Sequence, residues 1–408
     1  MTRIPSGSTF AINRAGSFGR CNRIRTRPGM PRVRVTEVTK VLLIFGTRPE
    51  AIKLCPVLLH LRRRAGEFQV KCCVTAQHRQ MLDQVLDVFG VQPDYDLNLM
   101  QPGQTLAQSS ARILAALEGV LTAEKPDIVL VQGDTTTTFC GALAAFYGRI
   151  PVGHVEAGLR TGDMTQPFPE ELNRVLTTRL STLHFAPTAG AARNLRRDQV
   201  PEDRIVVTGN TGIDAVLQVS GKLRTGELAG IELPGLDPSR RLLVVTAHRR
   251  ENHGAPLQAI CEALVRLARR GDVQIVYPVH RNPKIAGPVE QLLGGQPAIL
   301  LCDPLEYVPF VDLMRRAYLL ITDSGGIQEE GPSLGKPVLV MREKTERPEA
   351  VEAGTVKLVG TDADRIVGET EMLLENRGEF ERMSRAHNPY GDGHASERIG
   401  DALARWFS

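Results

Sequence analysis

The chain of 408 residues lacks several features that would assign it to a particular class of protein. No stretch reaches the roughly 18 consecutive apolar residues of a membrane-spanning helix, so we predict none. The seven cysteines form no C-x-x-C pair, which favours buried free thiols in a reducing cytoplasm over disulfides or zinc ligands. The histidines are dispersed without ligand spacing, and the sequence therefore indicates no metal site.

Two common phosphate-binding motifs are also missing. No G-x-G-x-x-G follows the strand-like run 41–45, which argues against a classical nicotinamide or flavin site. The segment 331–336 has one residue too few between its glycines for a P-loop, and Pro337 stands where that motif needs Ser or Thr. Dehydrogenase and kinase functions are therefore disfavoured.

Positive charge is concentrated at the N-terminus. Residues 1–40 hold nine basic groups and one acid, a net of +8, so with a total of +4 the rest of the chain carries −4. A basic nucleic-acid-binding face on the folded part is therefore not expected. The segment 1–39, rich in Arg, Gly, Pro and Ser, is predicted to be a disordered tail. A transit peptide and an over-called start codon, with Met30 as a later candidate, are both open explanations of it.

Strand-like apolar runs alternate with amphipathic helical patterns from residue 41 onward. Such alternation predicts an α/β fold with parallel sheets, and the length suits two domains. We predict two Rossmann-like, doubly wound domains facing a central cleft, at 40–208 and 209–387, followed by a turn and helix at 388–408. The Gly- and Pro-rich segment 209–240 is the expected linker.

The segment 317–339 reads as a strand, a glycine turn and the start of a helix. Gly325 and Gly326 let backbone N–H groups approach a ligand, and a helix N-terminus favours negative charge, so the pattern indicates a phosphate cradle. Glu330, one turn into the helix, could accept hydrogen bonds from both hydroxyls of a ribose, which indicates a nucleotide. The alternative is an ordinary strand-to-helix turn without a ligand.

Other strand-like runs also end in residues that handle anions. These ends are Gly46 to Lys53, Gly133 to Thr138, His154 to Arg160, His248 to Glu251, and His280. Ligands of doubly wound sheets bind at the carboxyl ends of the strands, so we predict that these residues line one crevice.

Three carboxylates at such positions, Asp134, Glu156 and Glu170, suit general acid/base chemistry, because neighbouring like charges push pKa values apart. The alternative is helix capping by Asp134 and a helix-dipole interaction of Glu170. Basic groups suited to a diphosphate are Arg48, His248 and Arg347.

Seven strings then carry a specific resemblance. They are FGTRPEAIK (45–53), TAQHR (75–79), GDTT (133–136), HVEAGLRT (154–161), HRRE (248–251), DSGGIQEE (323–330) and TERPEA (345–350). Together they resemble the bacterial non-hydrolysing UDP-N-acetylglucosamine 2-epimerases, from about Val41 to the C-terminus.

The resemblance implies a GT-B fold whose final helix returns to the first domain, and a cytoplasmic homodimer. It implies reversible conversion of UDP-GlcNAc to UDP-ManNAc without cofactor or metal, by anti elimination of UDP and re-addition through 2-acetamidoglucal, to supply surface polysaccharide. By resemblance, Asp134, Glu156 and Glu170 carry the acid/base steps, and His248 stabilises the departing diphosphate. The implied substrate-binding residues are Arg48, Lys53, Asp134, Glu156, His248, Leu305, Phe310, Ser324, Gly325, Gly326, Glu330 and Arg347.

Some positions depart from the family pattern. Leu305 stands where relatives carry Gln near the uracil, Ala247 where Gly often precedes the histidine, and Phe168 where Trp is common. The residues that resemble a second, activating UDP-GlcNAc site are Gln77, His78, Gln80 and His280, but Gly103 replaces an Arg of members with that site.

Three other functions are open at the level of sequence. A GT-B glycosyltransferase would share the nucleotide half, a hydrolysing relative would release free ManNAc, and a non-catalytic sensor would only bind a UDP-sugar. Product analysis with UDP-GlcNAc alone separates them from an epimerase.

Overall fold

Two parallel β-sheets organise the part of the chain that the computed structural model describes, residues 38–76, 79–101 and 103–408, with no side chains described at 79 and 80. The strands of the first sheet are β1 Thr39–Phe45, β2 Phe68–Val74, β3 Tyr95–Asp96, β4 Ile128–Gln132, β5 Val152–Val155, β6 Leu183–Ala186 and β7 Ile205–Val207. They lie in the order β3-β2-β1-β4-β5-β6-β7.

The second sheet has six strands, all parallel. They are β8 Arg241–Thr246, β9 Val273–Pro278, β10 Ile299–Cys302, β11 Leu319–Thr322, β12 Val338–Val340 and β13 Val356–Leu358. Their order is β10-β9-β8-β11-β12-β13. The predicted α/β fold with two doubly wound parallel sheets is therefore confirmed.

Helices connect the strands. Those of the first half are α1 Arg48–Arg63, α2 Arg79–Phe89, α3 Leu106–Glu124, α4 Thr136–Tyr147, α5 Glu170–Leu180, α6 Ala189–Arg197 and α7 Thr211–Thr225. Those of the second half are α8 Ala255–Ala268, α9 Pro283–Leu293, α10 Tyr307–Arg316, α11 Gly325–Ser333, α12 Pro348–Glu352, α13 Ala363–Glu375, α14 Arg377–Arg385 and α15 Ala395–Phe407. Short 3-10 turns occur at Glu202–Arg204 and Arg250–Asn252. None of the helices in the described ranges is both long enough and apolar enough to cross a membrane.

The central strands are covered by helices on both faces. Every residue of β4 and the last five of β1 are buried, with Leu43 and Phe45 facing one core cluster and Leu42 and Ile44 facing another. Burial on both faces explains why these strands are continuous apolar runs rather than alternating patterns.

The segment predicted as a linker is half helix. Ile213, Val216 and Val219 recur at helical spacing and are fully buried, and α7 packs against α1, α10, α11 and α15. The helix 211–225 was not predicted; it forms because this apolar spacing outweighs the single Gly221 inside it, and the domain transition placed in this segment stays a prediction.

The last helix lies against the first. Helix α15 packs on α1, with Arg64 Nη1 2.7 Å from Asp401 Oδ1. Its first turn is anchored by Asp214 of α7, which accepts hydrogen bonds from the backbone N–H groups of Ala395 and Ser396 at 3.2 and 2.7 Å. Residues 1–37 of the predicted tail lie outside the described residues. The last residue of that predicted tail, Thr39, is the first residue of β1.

The strand order reverses at two places, between β1 and β4 and between β8 and β11. At such a point the loops after neighbouring strands diverge and leave a crevice at the carboxyl edge of the sheet. The loops that follow these four strands begin at Gly46, Gly133, Ala247 and Asp323. The predicted site residues cluster on or near these loops.

Two buried histidines on neighbouring strands make stability sensitive to acid. His154 and His184 are paired in register, and burial lowers the pKa of His154 to about 3 and that of His184 to about 4. Between pH 6.5 and about pH 4 both imidazoles are largely neutral in the folded protein, whereas those of the unfolded chain take up protons in this range. As the pH falls below 6.5, the free energy of unfolding should therefore decrease by about 1.4 kcal/mol per pH unit for each imidazole.

His184→Gln isolates this effect, because the variant removes one of the two titrating groups. We expect its free energy of unfolding, from urea titrations at pH 7, 6 and 5, to fall less steeply than that of the wild type by about 1.4 kcal/mol per pH unit below pH 6. Parallel pH profiles of the two proteins would contradict the prediction.

Candidate active site

Asp134 follows β4 directly and is not a helix cap. The N-cap of α4 is Thr135, whose hydroxyl accepts the Thr138 N–H at 3.1 Å. Asp134 Oδ2 instead contacts the Arg174 guanidinium, while its backbone carbonyl accepts from Asn173 Nδ2 at 2.9 Å. The capping alternative for Asp134 is therefore wrong, and its carboxylate faces the crevice side of the sheet edge.

Arg174 is itself fixed by a second carboxylate. Its Nη1 lies 3.1 Å from Glu171 Oε2, and the side chain is only 12% exposed. Glu171 also accepts the backbone N–H groups of Thr161 and Gly162 at 2.9 and 3.1 Å. The arginine thus ties Asp134 to α5 and to the loop before it.

Glu156 follows β5 with a backbone φ of 64°, in the left-handed region that residues other than glycine rarely adopt. Its carboxylate contacts Lys53 Nζ through one oxygen and Gln132 Nε2 through the other. Burial raises the pKa of Glu156, and the Lys53 ammonium only partly offsets this. Backbone strain at a buried acid is typical of functional sites, where neighbouring contacts hold the residue in place.

Glu170 opens α5 next to a cavity that it shares with Asp134. The cavity has a volume of about 510 Å³, and several polar residues on the loops after β1, β3 and β4 contribute to its lining, among them Thr47, Gln101 and Thr135. It lies beside the carboxylates and is large enough for a sugar ring.

In the second half, α11 begins at Gly325, two residues after the loop that follows β11 starts at Asp323. Ser324 is its N-cap but makes no side-chain cap, so the hydroxyl and the first backbone N–H groups are available. A Cβ atom at Gly325 would lie 2.5 Å from the Arg347 guanidinium carbon, whereas one at Gly326 would meet nothing within 4 Å. Glycine at 325 therefore lets Arg347 lie across the helix N-terminus.

This contact predicts different effects for the two glycines. Gly325→Ala should push the Arg347 guanidinium away from the start of α11 and weaken its bond to Glu329; because the clash is with the end of a flexible side chain, we expect a loss of only about 0.5–1.5 kcal/mol, the usual net contribution of one hydrogen bond. Gly326→Ala is the matched control and should be neutral or slightly stabilising, because alanine favours the helix. Thermal unfolding without nucleotide tests this, and equal effects would refute it.

Arg347 links the helix to buried acids. Its Nε donates to Glu329 Oε1 at 2.6 Å, and Glu329 Oε2 accepts from Asn210 Nδ2 at 2.9 Å. Burial opposes the charge on Lys53, but Glu156 and Glu329 together outweigh it and raise the pKa of this lysine. Charged residues of both halves therefore form one connected cluster.

Glu330 lies one helical turn beyond the glycines. Burial, reinforced by the neighbouring Glu329 charge, raises the pKa of Glu330 to about 7. Arg48 and Lys53 are close enough to act on it in the opposite direction. Nearby, the Tyr307 hydroxyl is buried without a hydrogen-bond partner among the described residues, so it is a polar group that a bound ligand could satisfy.

His248 follows β8 and its side chain is 40% exposed. Its ring stacks on that of His280, with centroids 6.1 Å apart and planes at 22°. His248 Nδ1 lies 3.1 Å from Asp323 Oδ1, a partner that the sequence pattern did not single out. The histidine predicted for the diphosphate thus lies beside the histidine that resembles an activator residue.

The structure gives fewer contacts for the remaining predicted site residues. Leu305 and Phe310 pack against the hydrophobic core at the start of α10. Gln77 and His78 lie outside the described residues, as does the side chain of Gln80. Arg174 was not predicted as a site residue. Its position three and four residues after Glu171 and Glu170 places it on the same face of α5, but this spacing alone does not show which carboxylate it contacts.

The fold and the cluster define a two-domain α/β protein whose charged residues meet at the switch points of its two sheets. A family model described as UDP-N-acetylglucosamine 2-epimerase matches residues 60–404. The UDP-N-acetylglucosamine 2-epimerase of Escherichia coli O157:H7 is 57% identical over 369 residues, covering 89% of this chain and 98% of its own.

Solved structures agree. The UDP-GlcNAc 2-epimerase of Neisseria meningitidis, bound to UDP-GlcNAc, is 48% identical with a TM-score of 0.79, over 90% of this chain and 100% of that one. A putative UDP-N-acetylglucosamine 2-epimerase of Listeria monocytogenes is 45% identical with a TM-score of 0.86, over 91% and 97%. The chain therefore belongs to the UDP-N-acetylglucosamine 2-epimerase family, and its predicted GT-B fold is confirmed.

Proposed function

We propose that this protein interconverts UDP-N-acetylglucosamine and UDP-N-acetylmannosamine in the crevice between the two sheets. The observation that carries the proposal is one charge cluster that joins the carboxylates after β4 and β5 to the glycine-led helix α11. Family membership supports the same reaction, and the Neisseria relative is bound to UDP-GlcNAc.

The chemistry requires both parts of the cluster. C2 of the sugar has no neighbouring carbonyl, so its proton is weakly acidic until the C1–O bond begins to break. In the proposed step the C2 proton moves to a carboxylate, C1 and C2 form a double bond, and the C1–O electron pair leaves on the β-phosphate oxygen. UDP then re-adds to C1 while a proton reaches C2 from the opposite face.

Asp134, Glu156 and Glu170 supply the proton-transfer groups in this proposal. Burial raises the pKa of Glu156, which favours its protonated form, and Asp134 contacts the Arg174 guanidinium. Carboxyl groups with such different neighbours suit the roles of an acid and a base in one site.

The second half holds the nucleotide in this proposal. The Gly325–Gly326 backbone, Ser324, Arg347 and His248 face the diphosphate, Glu330 accepts the ribose hydroxyls, and Arg48 adds positive charge. Phe310 and the Leu305 backbone lie near the uracil. Lys53, also expected at the nucleotide, contacts Glu156, so we assign it a role both at the carboxylates and at the nucleotide.

The test is incubation of pure protein with UDP-GlcNAc alone, followed by NMR. We expect UDP-ManNAc to accumulate to an equilibrium mixture without any acceptor. Free ManNAc with UDP would indicate the hydrolysing reaction, and an unchanged substrate would refute catalysis and favour a transferase or a sensor.

We further propose a cytoplasmic homodimer that supplies ManNAc units for surface polysaccharide. The cysteines of the described ranges are free thiols, mostly buried, which suits a reducing compartment. A largely apolar cavity of about 720 Å³ lies between α3 and α4, beside the exposed side chains of Phe146 and Tyr147. This face suits a second copy, and sedimentation of a monomer at micromolar concentration would contradict the dimer.

A further inference from the structure

Asp323 joins the loop after β8 to the start of α11. Its side chain is completely buried. Oδ2 accepts three hydrogen bonds, from the backbone N–H groups of His248 and Arg249 at 2.8 Å each and from Asn252 Nδ2 at 3.0 Å. Oδ1 lies 3.1 Å from His248 Nδ1, a close contact that does not meet the geometry of a hydrogen bond, and it accepts no hydrogen bond from any other described residue.

The two carboxylate oxygens of Asp323 therefore have different roles. Oδ2 holds the backbone of the loop, whereas Oδ1 faces only the imidazole. Burial alone would raise the pKa of Asp323, but the bonds from His248 and from the loop outweigh it and lower the pKa, so this carboxyl group is ionised near neutral pH. An ionised carboxylate can only accept hydrogen bonds.

This contact bears on the protonation pattern of His248. Because Oδ1 can only accept, a hydrogen bond between the two groups requires the proton of a neutral His248 on Nδ1, and Nε2 is then the nitrogen that can face a ligand. If His248 takes up a second proton on Nε2, the buried carboxylate balances the resulting positive charge. Positive charge next to a departing diphosphate is most useful in the transition state, when negative charge develops on the leaving oxygen.

We propose that Asp323 is a positioning residue that keeps the proton of His248 on Nδ1, directs Nε2 to the diphosphate, and supports the imidazolium while UDP leaves. The inference rests on the proposed role of His248. Asp323 itself does not touch substrate in this arrangement, because its oxygens are occupied by the imidazole and the loop.

The first measurement needs no variant. Protein labelled with ¹⁵N-histidine is examined by long-range ¹⁵N–¹H correlation at a pH where His248 is neutral, and its signal is assigned as the one missing from His248→Asn. We expect the pattern of an Nδ1–H tautomer. An Nε2–H tautomer would overturn the proposal.

The second measurement uses Asp323→Asn. An amide that keeps its oxygen on the loop presents its NH₂ group to His248 Nδ1, so it should reverse the tautomer and withdraw the negative charge. We expect kcat to fall about 10- to 100-fold, as for other partners that orient a functional histidine, with KM within about threefold of wild type.

A double variant separates positioning from structural support. If Asp323 acts through His248, adding Asp323→Asn to His248→Asn should cause no further loss of turnover. If the two losses multiply, Asp323 serves only the fold and the proposal fails. Asn252→Ala is the matched control, because it removes a donor to Oδ2 and leaves Oδ1 in place; it should lower thermal stability without changing the tautomer.

The outcomes also separate this inference from the proposed function. Near-normal turnover of His248→Asn would refute the role of His248 in catalysis, while the tautomer measurement would still decide whether Asp323 controls the imidazole. Loss of turnover in His248→Asn with normal turnover in Asp323→Asn would refute the role of Asp323 alone. If Asp323→Asn does not fold, the wild-type spectrum decides.

Discussion

Variants with Asp134→Asn, Glu156→Gln or Glu170→Gln are expected to epimerise UDP-GlcNAc about 10²- to 10⁴-fold more slowly, the usual loss when one proton-transfer group is removed. Their affinity for UDP should change much less, because the proposed diphosphate contacts come from the second sheet. Turnover is followed by NMR, and UDP binding by calorimetry.

The same experiment in D₂O tests the route. If UDP leaves by elimination and the proton is returned by a carboxylate that exchanges with solvent, the recovered sugars must carry deuterium at C2. A slow variant should also release UDP and 2-acetamidoglucal, because the intermediate then escapes before UDP re-adds. Full retention of the C2 hydrogen would contradict this mechanism.

Glu202→Gln provides a matched control. Glu202 is an exposed glutamate of the first half whose side chain, within the described part of the chain, pairs with the surface residue Arg196. Its amide variant should turn over like the wild type. If an active-site amide variant behaves like this control, that carboxylate is not part of the mechanism.

The fold could largely be predicted because its signals are local. β1 and β4 are buried on both faces, so they read as unbroken apolar runs, and the helices between strands show their apolar spacing. The carboxyl ends of parallel strands lie at one edge of a sheet, and this brought Asp134 and Glu156 together without knowledge of side-chain contacts. Helix α7 was missed because glycines and prolines on its C-terminal side suggested a linker.

The pairings inside the site could not be predicted. The place of Lys53 in its motif predicts a phosphate ligand, but in the structure Lys53 contacts Glu156. Asp134 contacts a guanidinium that lies 40 residues later in the sequence. Which partner a long side chain reaches depends on its direction from the backbone and on the packing of distant segments, not on spacing in sequence. Asp323 was noticed as part of a turn, but only its complete burial shows that its carboxylate must have donors around it.

Glu330→Gln is expected to weaken UDP binding strongly at pH 8 and only weakly at pH 5.5. If the ionised carboxylate accepts the ribose hydroxyls, its loss should cost about 1.5–3 kcal/mol, the range for hydrogen bonds to a charged group and equal to roughly 10- to 150-fold in affinity. The amide keeps the size of the side chain, so the comparison isolates the charge.

The pH dependence follows from the environment of Glu330. Burial raises its pKa to about 7 in the ligand-free protein, and hydroxyl donors would favour the ionised form in the complex. Below pH 7 the free wild-type protein carries a proton there that UDP binding must displace, so its affinity falls as the pH falls by up to about tenfold per unit. Glu330→Gln has no such proton.

The ratio of the two dissociation constants is the decisive quantity, because titration of the UDP phosphates affects both proteins alike. Calorimetry at pH 8 and 5.5 should show the wild-type advantage shrinking by about tenfold or more at the lower pH. A further titration at pH 7, in buffers of different ionisation enthalpy, should show that the wild type releases more protons on binding UDP than the variant does. A ratio that stays constant between the two pH values would show that the ionised Glu330 carboxylate does not accept hydrogen bonds from the ribose hydroxyls. An affinity for UDP that is unchanged in the variant at pH 8 would show that Glu330 is not part of the nucleotide site.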